Sequence, residues 1–94
     1  MTLLDDGAID ERLASLAGWQ RAGDASIERD LKFADFAAAI AFIDRVAELA
    51  EAANHHPDIL LHGWNKVRLT LSTHSQGGLT DADFRLARQI DELA

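Results

Sequence analysis

The chain has 94 residues, 48% of them hydrophobic, with nine Lys plus Arg against sixteen Asp plus Glu and a net charge of −7. That length suits one domain over residues 1–94 with a core of modest depth, and excludes a second. The acidic balance and scattered basic residues exclude direct binding of nucleic acid, which needs the opposite field, and the absence of cysteine excludes a disulfide framework, a thiolate nucleophile and a zinc knuckle.

At the N terminus, Met-Thr-Leu-Leu-Asp-Asp lacks the basic start and apolar stretch of a secretory signal, so a cytoplasmic location is expected. Residues 8–17 set Ile9, Leu13 and Leu16 on one face at helical spacing, and Gly18 supplies a stop, which predicts a short helix. From Trp19 to Phe33 the period changes. Gly23-Asp24 marks a tight turn, after which Ile27, Leu31 and Phe33 alternate with Glu28, Asp30 and Lys32, the pattern of a hairpin with one wet face. Asp35 can cap a long helix reaching about Asn54, with Phe36, Ile40, Ile43, Ala47 and Ala50 recurring at intervals of three and four. Asp44, Arg45 and Glu48 interrupt its apolar run, so no membrane span is expected. The helix ends where His56 precedes the only proline, Pro57. Residues 58–64 and 66–72 then read as a second strand pair, in which Val67, Leu69 and Leu71 alternate with Lys66, Arg68, Thr70 and Ser72. Gly77-Gly78 breaks the pattern, and Thr80-Asp81-Ala82-Asp83 resembles a capping box opening a last helix with Phe84, Ala87, Ile90 and Ala94 inward. The order α-β-β-α-β-β-α predicts an α+β fold, a four-stranded, mainly antiparallel sheet with three helices on one face.

Three of the four histidines fall at the ends of predicted elements: His55 and His56 where the long helix stops, and His74 beyond the last strand. Taken singly, His55 is a favourable cation at a helix C-terminus, His56 and His74 are polar loop residues, and Glu51 is a solvated acid. Together they point to proton chemistry. Glu51 stands four residues before His55, within reach of its imidazole on a continuous helix, and a histidine cluster supplies both an acid and a base near neutral pH. A metal centre is disfavoured, because adjacent His55 and His56 rarely point at one ion and there is neither an HxH nor an HxxxH pair. Ser72, Thr73 and Ser75 lie near His74, but without an elbow or a Gly-rich oxyanion turn, and no phosphate loop or GxGxxG is present.

The run Glu51-Ala-Ala-Asn-His55-His56-Pro57, then Trp64, then 65–74 (NKVRLTLSTH), and finally Gly78-Leu79-Thr80 to Asp83 resembles the pterin-4a-carbinolamine dehydratase family. The resemblance covers nearly the whole chain, since Gly18-Trp19 and residues 33–45 also match the family's manner. It implies the α+β fold, assembly as a homodimer or homotetramer, and loss of water from 4a-hydroxytetrahydropterin without metal or other cofactor. It further implies that His55, His56 and His74 are the active-site histidines, with Glu51, Pro57, Thr73, Ser75 and Asp83 at or supporting the pterin pocket. His55 and His74 are expected to exchange protons with the substrate and His56 to orient it. The segment Ile59-Leu60-Leu61 departs from relatives that carry aromatic residues directly after His-His-Pro, leaving Trp64 as the nearby ring. Two other readings stand beside this one. An animal member of the family also stabilises the dimer of a homeodomain transcription factor, a role that would use helix surface, and a metal-storage or sensor protein would carry bound metal.

Overall fold

Each helix begins at a side chain that satisfies backbone N–H groups with no partner inside the helix. In the computed structural model, which describes residues 2–94, Asp5 accepts from the Ala8 N–H at 2.8 Å and opens α1 (Asp6–Leu13), and Asp35 accepts from Ala38 at 2.7 Å and opens α2 (Phe36–Ala53). Thr80 and Asp83 form the full capping box at the head of α3 (Asp81–Leu93), as the sequence predicts. Met1, with which the N-terminal sequence reading begins, lies outside the described residues. The first helix starts two residues earlier than its predicted position and ends four earlier. Its cap is Asp5, and after Leu13 the chain tightens into i to i+3 bonds, Ser15 N–H to Arg12 O and Leu16 N–H to Leu13 O. Gly18 then turns the chain with φ +89°, where a Cβ would stand 3.1 Å from Arg29 Nε.

The strands are β1 (Trp19–Arg21), β2 (Ile27–Lys32), β3 (Asp58–His62) and β4 (Lys66–Leu71). They form one sheet in the order β1-β2-β4-β3, every neighbouring pair antiparallel. The β3–β4 connection is longer than the single residue the alternation predicts, because Gly63 and Trp64 both take left-handed backbone, φ 54° and 60°, and end the strand at His62.

Register decides which face is wet. Ile27 lies opposite Leu71, and Val67 lies between Leu31 and Leu61, so these side chains share the face under the helices. There Ile27, Val67, Leu69 and Leu71 are buried against Phe84, Leu86, Ala87 and Ile90 of α3 and Ala39, Phe42 and Val46 of α2. Full burial of each large apolar side chain contributes about 1.5–3 kcal/mol. The opposite face carries Asp30, Lys32, Lys66 and Arg68, all exposed. The helix layer thus covers one face only, as predicted. No helix among the described residues is long and apolar enough to cross a membrane.

The inward stripe of α2 differs from the predicted one. Ala39, Phe42, Val46 and Ala50 point inward, flanked by Ile43 and Leu49, whereas Phe36 and Ile40 are 52% and 37% exposed and Ala47 is also exposed. The helix is apolar on more than one side, so its periodicity admits two stripes, and the ring of Phe42 selects one by packing on Phe33 at a centroid distance of 4.9 Å. Ala94 likewise proves exposed rather than inward.

One polar tie crosses the inner face. Arg29 of β2 pairs with Asp91 of α3, and Trp19 Nε1 donates to the same carboxylate oxygen at 2.8 Å. Both members of the ion pair are mostly shielded from water, so its loss strands a cation and an indole N–H. Asp91→Ala is expected to lower unfolding stability by about 2–3 kcal/mol with an unchanged denaturant slope, measured by urea titration.

Candidate active site

The start of β3 and the end of β4 lie at the same end of the sheet, with Asp58 opposite Thr70. Continuing that register brings residues 55 and 56 level with 73 and 72. Two segments far apart in sequence therefore meet at one corner. The first is the exit from α2. Asn54 takes left-handed backbone, φ 50° and ψ 42°, and the His55 N–H reaches back to Ala50 O at 3.1 Å, a Schellman-type ending. The second is the exit from β4, where Thr73 pairs with Gly78 and a short 3-10 turn, His74–Gln76, projects between them.

Asp83 ties the segments together. Its side chain is fully buried, and one oxygen, Oδ2, accepts from the Thr80 N–H at 2.9 Å and from Thr73 Oγ1 at 2.8 Å. The other, Oδ1, lies 2.6 Å from His55 Nε2. A carboxylate only accepts, so the His55 Nε2–H is the donor and the ring's Nδ1 is left for other work. Because the hydrogen of Thr73 goes to Asp83, Thr73 accepts from the Thr80 hydroxyl at 2.8 Å. The aspartate is thus both the third residue of the capping box and the anchor of a histidine 28 positions away.

The expected contact of Glu51 with His55 is replaced by another. Glu51 Oε2 accepts from His56 Nε2 at 2.5 Å, on a pair whose side chains are 77% and 57% exposed. The left-handed Asn54 takes His55 off the helical screw, so the four-residue spacing no longer sets two side chains side by side. His55 keeps only 10% of its side-chain surface. His74 and Ser75 are exposed and Pro57 is half-buried, while Thr73, like Asp83, is buried. The predicted residues therefore divide into a buried frame of His55, Thr73 and Asp83 and a solvent-facing set of Glu51, His56, His74 and Ser75.

Sequence reading missed three contributors. Thr80 belongs to the frame, and its place in the capping box was the available signal. Arg85 and Gln89 join His55, Leu49, Ala52 and Leu86 around a cavity of about 250 Å³ between α2 and α3. Nothing in their spacing marks them. Among the described residues, no three His, Asp or Glu side chains converge as ligands for a metal ion.

Residues 2–93 match the model of the family described as pterin 4 alpha carbinolamine dehydratase. A Roseiflexus castenholzii protein named "Putative pterin-4-alpha-carbinolamine dehydratase" is 55% identical over 91 residues, 97% of this chain and 96% of that protein. A Nocardia farcinica protein of the same name is 56% identical over 92 residues, 98% of this chain and 95% of its own length. Among solved structures, a transcriptional coactivator/pterin dehydratase from Brucella melitensis superposes with a TM-score of 0.94 at 37% identity, covering 99% of both chains. A pterin dehydratase-like protein identified as a RuBisCO assembly factor in the alpha-carboxysome gives 0.69 at 28% identity, over 82% of this chain and 89% of that one. With a family match from end to end and relatives more than half identical, the chain belongs to the pterin 4 alpha carbinolamine dehydratase family.

Proposed function

We propose that the protein removes water from a 4a-hydroxytetrahydropterin to give the quinonoid dihydropterin, a step of cytoplasmic tetrahydropterin recycling, by general acid and base catalysis from histidine. The observation that carries this reading is the Asp83 tie, which gathers the ends of α2 and β4 and with them three histidines at one corner of the sheet. The reaction needs a proton delivered to the departing hydroxyl and another removed from the adjacent ring nitrogen. No electrons move, so neither a redox cofactor nor a covalent intermediate is required.

Burial divides the roles differently from the sequence expectation. His55 has its Nε2–H committed to a buried carboxylate, which suits a positioning residue that aligns the segment carrying His56. His56, oriented by Glu51, and His74 are the exposed imidazoles, and these two form the proton-exchanging pair. After one turnover the acid has lost a proton and the base has gained one. Their exposure lets both reset with water. Glu51, Pro57 and Ser75 border the substrate, whereas buried Thr73 and Asp83 support it from behind. Direct assay of the purified protein with the 4a-hydroxy intermediate tests the proposal: faster dehydration than in buffer is expected, and a rate equal to buffer overturns it.

Self-association goes with this reading. β3 is an edge strand, its outer hydrogen-bonding side unpaired among the described residues, and it exposes Ile59 and Leu60, while Trp64, just beyond it, is 61% exposed. Such an edge is normally covered. The expected result in sedimentation at micromolar concentration is a dimer or tetramer; a mass equal to the 10.3 kDa chain would count against it. The same apolar groups, together with Phe36 and Ile40 on α2, favour a second reading as a protein-binding module that stabilises a partner's dimer. A biological role that survives loss of His56 and His74 would favour that module over the dehydratase.

A further inference from the structure

At the end of the sheet opposite the histidine corner, register sets three cation-capable side chains in one row. Lys32 of β2 lies directly opposite Lys66 of β4, which lies directly opposite His62 of β3, all on the open face. Lys32 and Lys66 are the chain's only lysines, in a protein of net charge −7. Like charges directly opposite in an antiparallel pair destabilise it. Four of the seven arginines are neutralised. Arg12, Arg21, Arg29 and Arg68 all sit in ion pairs, whereas among the described residues neither lysine has a carboxylate within ion-pair distance. The Arg68 guanidinium, hydrogen-bonded to Asp30, holds that carboxyl below its usual range, so the acid beside the row is already engaged.

The row borders a cavity of about 300 Å³ lined by Asp30, Leu31, Lys32, His62, Lys66 and Arg68. Gly63 helps to shape it, since a Cβ at that position would stand 3.0 Å from the Lys66 ammonium. We infer that this row is an anion site for a small phosphate group, free or carried as a monoester. Size follows from the neighbouring rows. One step along the strands, about 7 Å away, Asp30 balances Arg68, and the next row carries Glu28 and Asp58, so a long polyanion would run onto acids while a compact one would not. The site is about 17 Å from the histidine corner along β4, and it stands whether or not the dehydratase reading does.

The test is calorimetric titration at low ionic strength with inorganic phosphate in one arm and glycerol 3-phosphate in the other, using the wild-type protein, Lys32→Gln, Lys66→Gln and the double variant. Both substituted side chains are exposed, and far-UV circular dichroism checks the fold. Saturable binding, weakened about tenfold by either single substitution and lost in the double variant, is expected. Equal binding in both arms assigns recognition to the phosphate alone; binding of only glycerol 3-phosphate assigns the site to monoesters. Absence of saturation in both arms overturns the proposal. So does an equal loss in Arg45→Gln, a control that removes an exposed charge from α2.

Discussion

His74→Gln is expected to lower kcat by about 10²-fold or more with little change in pterin affinity, the usual scale for loss of a general acid or base. Glutamine keeps the size and hydrogen bonding of the side chain and removes only the titrating group. The fold should not respond, because His74 is exposed and the turn that carries it is held by backbone bonds, from Gln76 N–H to Thr73 O and from Thr73 N–H to Gly78 O. His56→Gln should reduce kcat on the same scale, since it is the other solvent-facing imidazole. Single-turnover rates and pterin affinity for both variants decide the matter. A His74→Gln protein of near-normal kcat would remove His74 from the pair and return its partner role to His55.

Local signals in the sequence reached far into this molecule. The alternation of residues 66–72 specified β4 and its buried face, and the Thr80-to-Asp83 spacing announced the cap of α3, because both depend on neighbours within a few residues. Contacts that require two distant segments were not legible. The spacing of Glu51 and His55 suggests a pair, and a continuous helix would make one, but the left-handed Asn54 redirects His55 to a carboxylate 28 residues on and leaves Glu51 to His56. The stripe of α2 fails for a related reason: when a helix is apolar on two sides, its burial is chosen by the sheet beneath, and here by Phe33. The lysine row is similar, since register alone sets residues 32 and 66 opposite each other.

Asp83→Ala is expected to be the most destabilising single change at the site, costing about 3–5 kcal/mol, because it removes the fully buried acceptor shared by three donors: the Thr80 N–H, the Thr73 hydroxyl and the His55 Nε2–H. Against a total stability of about 5–15 kcal/mol, that is a large share. Asp83→Asn keeps the volume and one accepting oxygen, but its NH2 must then face a donor on one side, so a smaller loss of about 1–3 kcal/mol is expected. If the aspartate holds the corner for catalysis as well as for folding, Asp83→Asn should also lower kcat at temperatures where the variant is fully folded, while pterin affinity changes less. A double-mutant cycle with His55→Ala separates the two effects: urea unfolding should give a coupling of about 1–3 kcal/mol between residues 55 and 83. Coupling near zero would mean that each residue is held by its own helix end, and the histidine corner would then need another explanation than the Asp83 tie.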